Sequence, residues 1–243
     1  MKAFIKRVVV KFPYVSLAVA RLHAITCSLA AFRFRIRYVA HCHVAWSARV
    51  TGWNAIELGR NAVVGAGSWL NVNDRRVSTP SLRIGSNSFI GQDNFFTVGR
   101  EIIIREYCLT ASRCAFIGSS HVAANPERPY STTGTTNSDT IYIGVNCFFG
   151  YGATVIGNVK IGHGSIVGAG TTVREDVPPF SIVVGSPSRV VRRYCFGQKN
   201  WIKPEQVRDV LFPDEETYLR NLRETVGFPL QPISAAATFF SDV

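Results

Sequence analysis

The chain has five histidines, and these are the side chains best suited to move a proton at neutral pH, since a free imidazole titrates near about 6.5. His23, His41 and His43 fall in a segment crowded with Lys and Arg, while His163 occupies a turn position in a short repeat, where an exposed side chain is expected. His121 differs from these. It closes the run Ile117-Gly118-Ser119-Ser120, at the point where a polar loop over 122–140 begins. A neutral imidazole at such an entrance can take the proton of a hydroxyl as its oxygen attacks an electrophile, an assistance of roughly 10²- to 10⁴-fold. A carboxylate or carbonyl usually orients the second nitrogen of such a base; Asn125 and Glu127 lie in the adjacent loop, and Glu127 is the expected partner. His41-x-His43 has no Cys or carboxylate at metal-ligand spacing, and the six cysteines (Cys27, Cys42, Cys108, Cys114, Cys147, Cys195) form no C-x-x-C pair. No metal centre is therefore expected, and a reducing cytoplasm is the simplest context.

The element that positions His121 is a repeat of six residues. An apolar anchor followed by Gly recurs at Leu58-Gly59, Val64-Gly65, Ile84-Gly85, Ile90-Gly91, Ile143-Gly144, Phe149-Gly150, Ile161-Gly162 and Val167-Gly168. The fourth residue after most anchors is small, as in Ala62, Ser68, Ser88, Cys108, Cys114, Cys147, Ala153, Ser165 and Thr171, which suits a cramped inward corner; Val159 and Val177 are slightly larger, and Asn94 and Arg100 depart. Cys108, Cys114 and Cys147 are thereby read as small core residues, not redox centres. Three hexapeptides close one triangular coil whose short strands stack in parallel, with the Gly positions assigned to the bends. The left-handed sense is inferred from the hexapeptide pattern itself, because ordinary crossovers are right-handed. A helical protein would show a spacing of about 3.6, which fails between 56 and 190. Two excursions interrupt the repeat, a short one at 73–81 and the loop 122–140. The predicted fold is all-β, a left-handed parallel β-helix over 56–193, with a basic N-terminal segment at 1–55 and a helical C-terminal extension at 194–243. Pro204–Phe212 and Pro213–Val226 read as two short helices capping the open end, the second opening on Asp214, Glu215 and Glu216.

The net charge of +11 resembles a nucleic-acid signal until it is mapped along the chain. Nine basic residues and no acidic one fall in the first 56 positions, so the body is nearly neutral and a nucleic-acid partner is not expected. The basic segment alternates its charges with apolar stretches, Phe12–Ala20 and Leu22–Phe32, about half the roughly 20 residues that span a bilayer. Arg21 also interrupts any signal-peptide core. Two readings stay open: an arm lying peripherally on an anionic membrane face, or a segment packed on the chain's own assembly.

The run IGVNCFFGYGATVIGNVKIGHGSIVGAGTTVREDVPPFSIVVGSPSRVVRR, residues 143–193, resembles the closing coils of the hexapeptide-repeat O-acetyltransferases of maltose, galactoside and polysaccharide type. The resemblance implies an acetyl-CoA-dependent transfer to a saccharide hydroxyl, direct and without an acyl-enzyme, with His121 as general base. It also implies a homotrimer, since the family's donor groove has walls from two chains. On the donor side it places Phe148, Gly150, Tyr151, Gly168, Ala169 and Arg174, with Arg189 and Arg192 toward the nucleotide phosphates. The family's acceptor-binding Asn falls one coil before the His, where this chain has Gly91; Asp93 or Asn94 is the substitute, with Asn125 as a further acceptor contact, and Asn94 is equally suited to point inward and bond along the stack. N-acylation of an amino-sugar nucleotide and a non-catalytic scaffold are the alternatives. A carbonic anhydrase would need three zinc-binding histidines, and the repeat supplies only His121 and His163.

Overall fold

The computed structural model describes residues 41–72, 81–207 and 212–226, together with Leu29 and Phe32. Most of the basic N-terminal segment and the last residues of the chain therefore lie outside the described residues.

Short strands form three flat faces, and each strand pairs in parallel with the strand one coil above and one coil below. The first face runs through His43–Val44, Val63–Val64, Phe89–Ile90, Leu109–Thr110, Phe148–Phe149, Ile166–Val167 and Ser181–Val184. The second runs from Arg49–Thr51 to Thr172–Val173, and the third from Ile56–Leu58 to Val159–Ile161. This is the left-handed β-helix that the hexapeptide pattern predicts. The stack starts at His43, inside the stretch set apart as an N-terminal segment.

The anchors point inward and are fully buried, with Phe96 stacked on Phe116 at 4.8 Å and Phe116 edge-on to Phe149 at 5.3 Å. Thr110, the one polar anchor, is buried without loss because its hydroxyl accepts the Gly91 N–H at 3.0 Å. The small residues at the inward corner form a second ladder. Ser68 and Ser88 donate to the carbonyls of Gly91 and Arg105, and the thiols of Cys108, Cys114 and Cys147 donate to Gly144, Gly150 and Gly162. The three cysteines are core residues, as their positions predict.

The glycines serve a different purpose from the one expected. At the bends the left-handed conformation belongs to the third residue after each anchor: Asn61, Asn87, Asp93, Tyr107, Arg113 and Asn146, or Gly67, Gly152, Gly164 and Gly170. The glycine directly after the anchor instead lets the next coil approach. A Cβ at Gly85 would lie 2.5 Å from the Arg105 carbonyl carbon and 2.6 Å from the Glu106 nitrogen. Backbone freedom is needed at one position and the absence of a side chain at the other.

Past the repeat the chain departs from the two expected helices. Strand Arg189–Cys195 turns back antiparallel on Ser181–Val184 and pairs with Asn200–Ile202, extending the first face. Of the first expected helix, Pro204–Gln206 is a single 3-10 turn, and residues 208–211 lie outside the described residues. Helix α1, Glu215–Val226, does form, capped by Asp214, whose carboxylate accepts the Thr217 N–H and hydroxyl, both at 2.9 Å. Its place is not over the open end. It runs along the corner between the third and first faces, where Glu215 accepts the Val145 N–H and the Tyr142 hydroxyl, each at 2.7 Å. Arg105 ties the same corner to Glu106 and Glu216, both at 2.9 Å. Burial works against the Arg105 charge, but these hydrogen bonds outweigh it and hold the group above its ordinary pKa. Burial, reinforced by Glu215, pushes Tyr142 up to about 12. Among the described residues no helix is long and apolar enough to cross a membrane.

Candidate active site

His121 leaves the stack at the corner between the second and third faces, where Ala115–Ile117 ends and the chain travels out before returning at Thr140–Ile143. The exit needs two backbones in near contact. A Cβ at Gly99, one coil below, would fall 1.9 Å from the Gly118 carbonyl oxygen. The base of the loop is then closed by a short ladder: Ser119 Oγ donates to the Thr136 carbonyl at 2.7 Å, the Thr136 N–H to the Ser120 carbonyl at 2.7 Å, and the Val122 N–H to the Gly134 carbonyl at 3.2 Å. His121 bridges Thr135 within that ladder. Its backbone is thus fixed to a rigid edge while the side chain faces solvent. Of the 73–81 excursion, residues 73–80 lie outside the described residues.

The expected orienting pair is not formed. Among the described residues no side chain hydrogen-bonds the His121 imidazole, and in the loop Asn125 Oδ1 accepts the Glu127 backbone N–H at 2.9 Å. Asn125 acts as a turn-former here. Asn94, expected to meet an acceptor, is buried and faces inward, its amide donating to the carbonyls of Gln92 and Ala111 at 3.3 and 3.0 Å. It belongs to the core ladder. Asp93 lies at the other corner, between the first and second faces, with its carboxylate over Gly67.

The donor-side residues divide in the same way. Gly150, Tyr151, Gly168 and Ala169 share the corner between the first and second faces, whereas Arg174 follows Val173 at the corner that carries His121. The N–H groups of Gly150 and Gly168 are engaged by Val167 and Val183 at 2.8 Å, so the absence of a side chain is what these glycines offer. A Cβ at Gly150 would sit 2.5 Å from the Ala169 nitrogen. Tyr151 is half exposed, and the Arg113 guanidinium lies 5.8 Å from its ring centre, a cation at this corner that the sequence reading missed. Arg113 holds the left-handed third position of its hexapeptide, and that position was the available signal. Phe148 faces outward from the first face, while Arg189 and Arg192 are exposed on the strand that extends it. Within one chain, then, the base and most of the donor-side set stand at opposite edges of the second face.

His163, expected to be exposed, is buried. Its Nε2 lies 3.0 Å from the Pro213 carbonyl, which can only accept, so the proton sits on Nε2. The ring is wedged edge-on to Phe180 at 4.9 Å and beside Tyr218 of α1. A structural histidine results, and the segment that covers it lies fifty residues away in sequence, beyond the reach of a local pattern. Among the described residues no three His, Cys, Asp or Glu side chains converge as a metal site.

Coil, corner glycines and loop exit together define a hexapeptide-repeat left-handed β-helix protein. A family model described as the hexapeptide repeat of succinyl-transferase matches residues 48–71 and 140–175. Among relatives, an acetyltransferase of Staphylococcus aureus strain COL is 33% identical over 113 residues, 46% of this chain and 55% of its own length. The chain thus spans about half the length of that relative. A lipopolysaccharide-biosynthesis O-acetyltransferase of Escherichia coli, WbbJ, is 27% identical over 157 residues, covering 61% of this chain and 77% of that protein. Among solved structures, a variant of AntD, an N-acyltransferase from Bacillus cereus in complex with coenzyme A and a dTDP-linked amino-dideoxyglucose, superposes with a TM-score of 0.56 at 18% identity, covering 79% of this chain and 96% of that one. At that identity the likeness is one of fold. The resemblance to hexapeptide-repeat acetyltransferases drawn from the closing coils is borne out by these matches.

Proposed function

We propose that this protein transfers an acetyl group from acetyl-coenzyme A to a hydroxyl of a saccharide acceptor, with His121 as general base. The carrying observation is the placement of His121: an exposed imidazole on a backbone pinned to the rim of a β-helix whose sequence relatives are acetyltransferases. In the reaction the acceptor oxygen attacks the thioester carbonyl while its proton passes to the imidazole. The tetrahedral intermediate collapses with cleavage of the C–S bond, and the imidazolium returns the proton to the departing sulfur. No acyl-enzyme is required. Buried thiols do not compete as nucleophiles, since burial pushes Cys114 up to about 11 and holds Cys147 well above its ordinary value.

The site is completed by a homotrimer. His121 and the corner bearing Tyr151, Gly168 and Ala169 occupy opposite edges of one face, and a neighbouring chain can set one corner against the other. The orienting partner that Glu127 does not supply within the chain then comes from the neighbour. Arg174, Arg189 and Arg192, all exposed, supply the charge for the donor's phosphates. Similarity to the E. coli lipopolysaccharide O-acetyltransferase favours a surface-glycan precursor as acceptor and oxygen over nitrogen as the acylated atom. The basic N-terminal segment suits a peripheral position on the inner membrane face, and deleting residues 1–40 should then release the protein into the soluble fraction.

The test is thiol release from acetyl-coenzyme A with a panel of hydroxylated glycans and an amino-sugar nucleotide, for the wild type and His121→Ala. Acceptor-dependent release that falls at least about 10²-fold in the variant is expected. Release only with the amino-sugar nucleotide would move the assignment to N-acylation; equal rates in both proteins would remove His121 from the mechanism.

A further inference from the structure

On the first face, the closing coils, the strand pair Arg189–Cys195 and Asn200–Ile202, and α1 enclose a groove of about 360 Å³. Its walls are the rings of Phe148, Tyr194, Phe196, Trp201 and Tyr218, with Ile166 between them. Phe148 and Phe196 are 39% and 37% exposed, a large apolar area to leave in water. The rings are fixed by one another. Tyr194 meets Phe196 and Trp201 edge-on at 5.0 and 5.3 Å, Phe196 meets Phe180 at 4.9 Å, and Phe180 meets Tyr218 at 4.9 Å.

The groove also carries hydrogen-bonding groups, those of Asn146, Tyr194, Trp201 and Tyr218. Among the described residues neither the Tyr194 hydroxyl nor the Trp201 indole N–H has a hydrogen-bond partner. The Tyr218 oxygen accepts from Asn146 Nδ2, which leaves its own O–H to donate. Among the described residues no Lys, Arg, Asp or Glu lines the groove. That absence decides against a phosphate-bearing ligand, which calls for charged donors, while the donors decide against a purely apolar chain, which would leave them unanswered. A sugar ring satisfies both requirements, with its C–H face on an aromatic plane and its hydroxyls toward the O–H, N–H and amide groups.

We propose that this aromatic groove binds neutral saccharide units, as a glycan subsite separate from the corner that carries His121. It rests on the acyltransferase reading only in taking the bound glycan to be the acceptor. Acceptors longer than a monosaccharide then gain affinity from it.

The experiment is titration of the full-length chain with maltohexaose, cellohexaose and, separately, free coenzyme A, followed by isothermal titration calorimetry. A saturable change is expected with a neutral oligosaccharide, unaltered in His121→Ala, weakened at least ten-fold in Trp201→Ala and largely restored in Trp201→Phe. Should Trp201→Ala melt early, Tyr194→Phe keeps the ring and removes only the hydroxyl; weaker binding at an unchanged melting temperature supports the groove. No response to either oligosaccharide, or an equal oligosaccharide response in Trp201→Ala, overturns it. So does shielding of Trp201 from acrylamide in the assembled protein, which would mean that a second copy closes the groove. Saccharide binding that persists without any acyl transfer counts against the proposed reaction and not against this site.

Discussion

Replacing Gly85 by Ala isolates close coil-to-coil approach from the conformational role of glycine, because the residue has an ordinary backbone conformation. The added Cβ would meet the Arg105 carbonyl carbon, the Glu106 nitrogen and the Arg105 oxygen at 2.5, 2.6 and 2.7 Å, where about 3.5–4.0 Å is comfortable. All three are backbone atoms, so the strain is relieved only by parting two coils by about 1 Å. Overpacking of this kind costs about 1–3 kcal/mol. The Gly85 N–H bond to the Ile104 carbonyl, 2.7 Å long, is weakened as well, adding up to about 1 kcal/mol. The expected loss is about 1–4 kcal/mol, or about 2–16 °C in melting temperature for a chain of this size. The control is Gly170→Asn, at φ +65 with no atom within 4 Å of its Cβ, a place that Asn61, Asn87 and Asn146 fill in other coils. It should cost less than about 1 kcal/mol. Circular-dichroism melts of both variants at one protein concentration make the comparison. A drop in Gly85→Ala no larger than that in Gly170→Asn would refute the assignment of these glycines to close approach.

Asn94→Ser, which installs the side chain other coils use at this position, should leave stability within about 1 kcal/mol of wild type, because it also removes a buried Asn94 Oδ1 that has no partner; unchanged acceptor KM would confirm that Asn94 does not touch acceptor, and a raised KM would return it to the site. Asp214 is held below its ordinary pKa by the Thr217 N–H and then the Thr217 hydroxyl. Its folded value is depressed, so its stabilisation of α1 is complete above the unfolded pKa of about 3.9 and fades as pH falls through the lower folded value. The protection of the α1 amides relative to their intrinsic exchange rates should therefore fall in acid, Asp214→Ala should show the lower protection already at pH 7, and protection equal to wild type would dismiss the cap. Cys108, Cys114 and Cys147 are buried, and the latter two have raised pKa values, so iodoacetamide should label none of them in the native protein and all of them in denaturant; native labelling at any of the three, read by peptide mass, would contradict their inward placement.

The amino-acid sequence by itself determined the coil. Apolar anchors at a period of six, a small residue four places later and a glycine one place later are local requirements of a triangular solenoid, repeated until chance is excluded; the inward thiols of Cys108, Cys114 and Cys147 and the exit of His121 into a polar loop follow from register alone. The acidic start of α1 was legible for the same reason, since capping is a matter of neighbours in sequence. Tertiary structure alone decided the rest. His163 became a core histidine because Pro213 and Tyr218 return to cover it, and α1 settled on a corner because Tyr142, Val145 and Arg105 there match Glu215 and Glu216. These outcomes depend on contacts between distant segments, which a six-residue period does not encode. The aromatic groove belongs with them. Phe148, Tyr194, Trp201 and Tyr218 come from a coil, two antiparallel strands and a helix, and only folding sets their rings around one space.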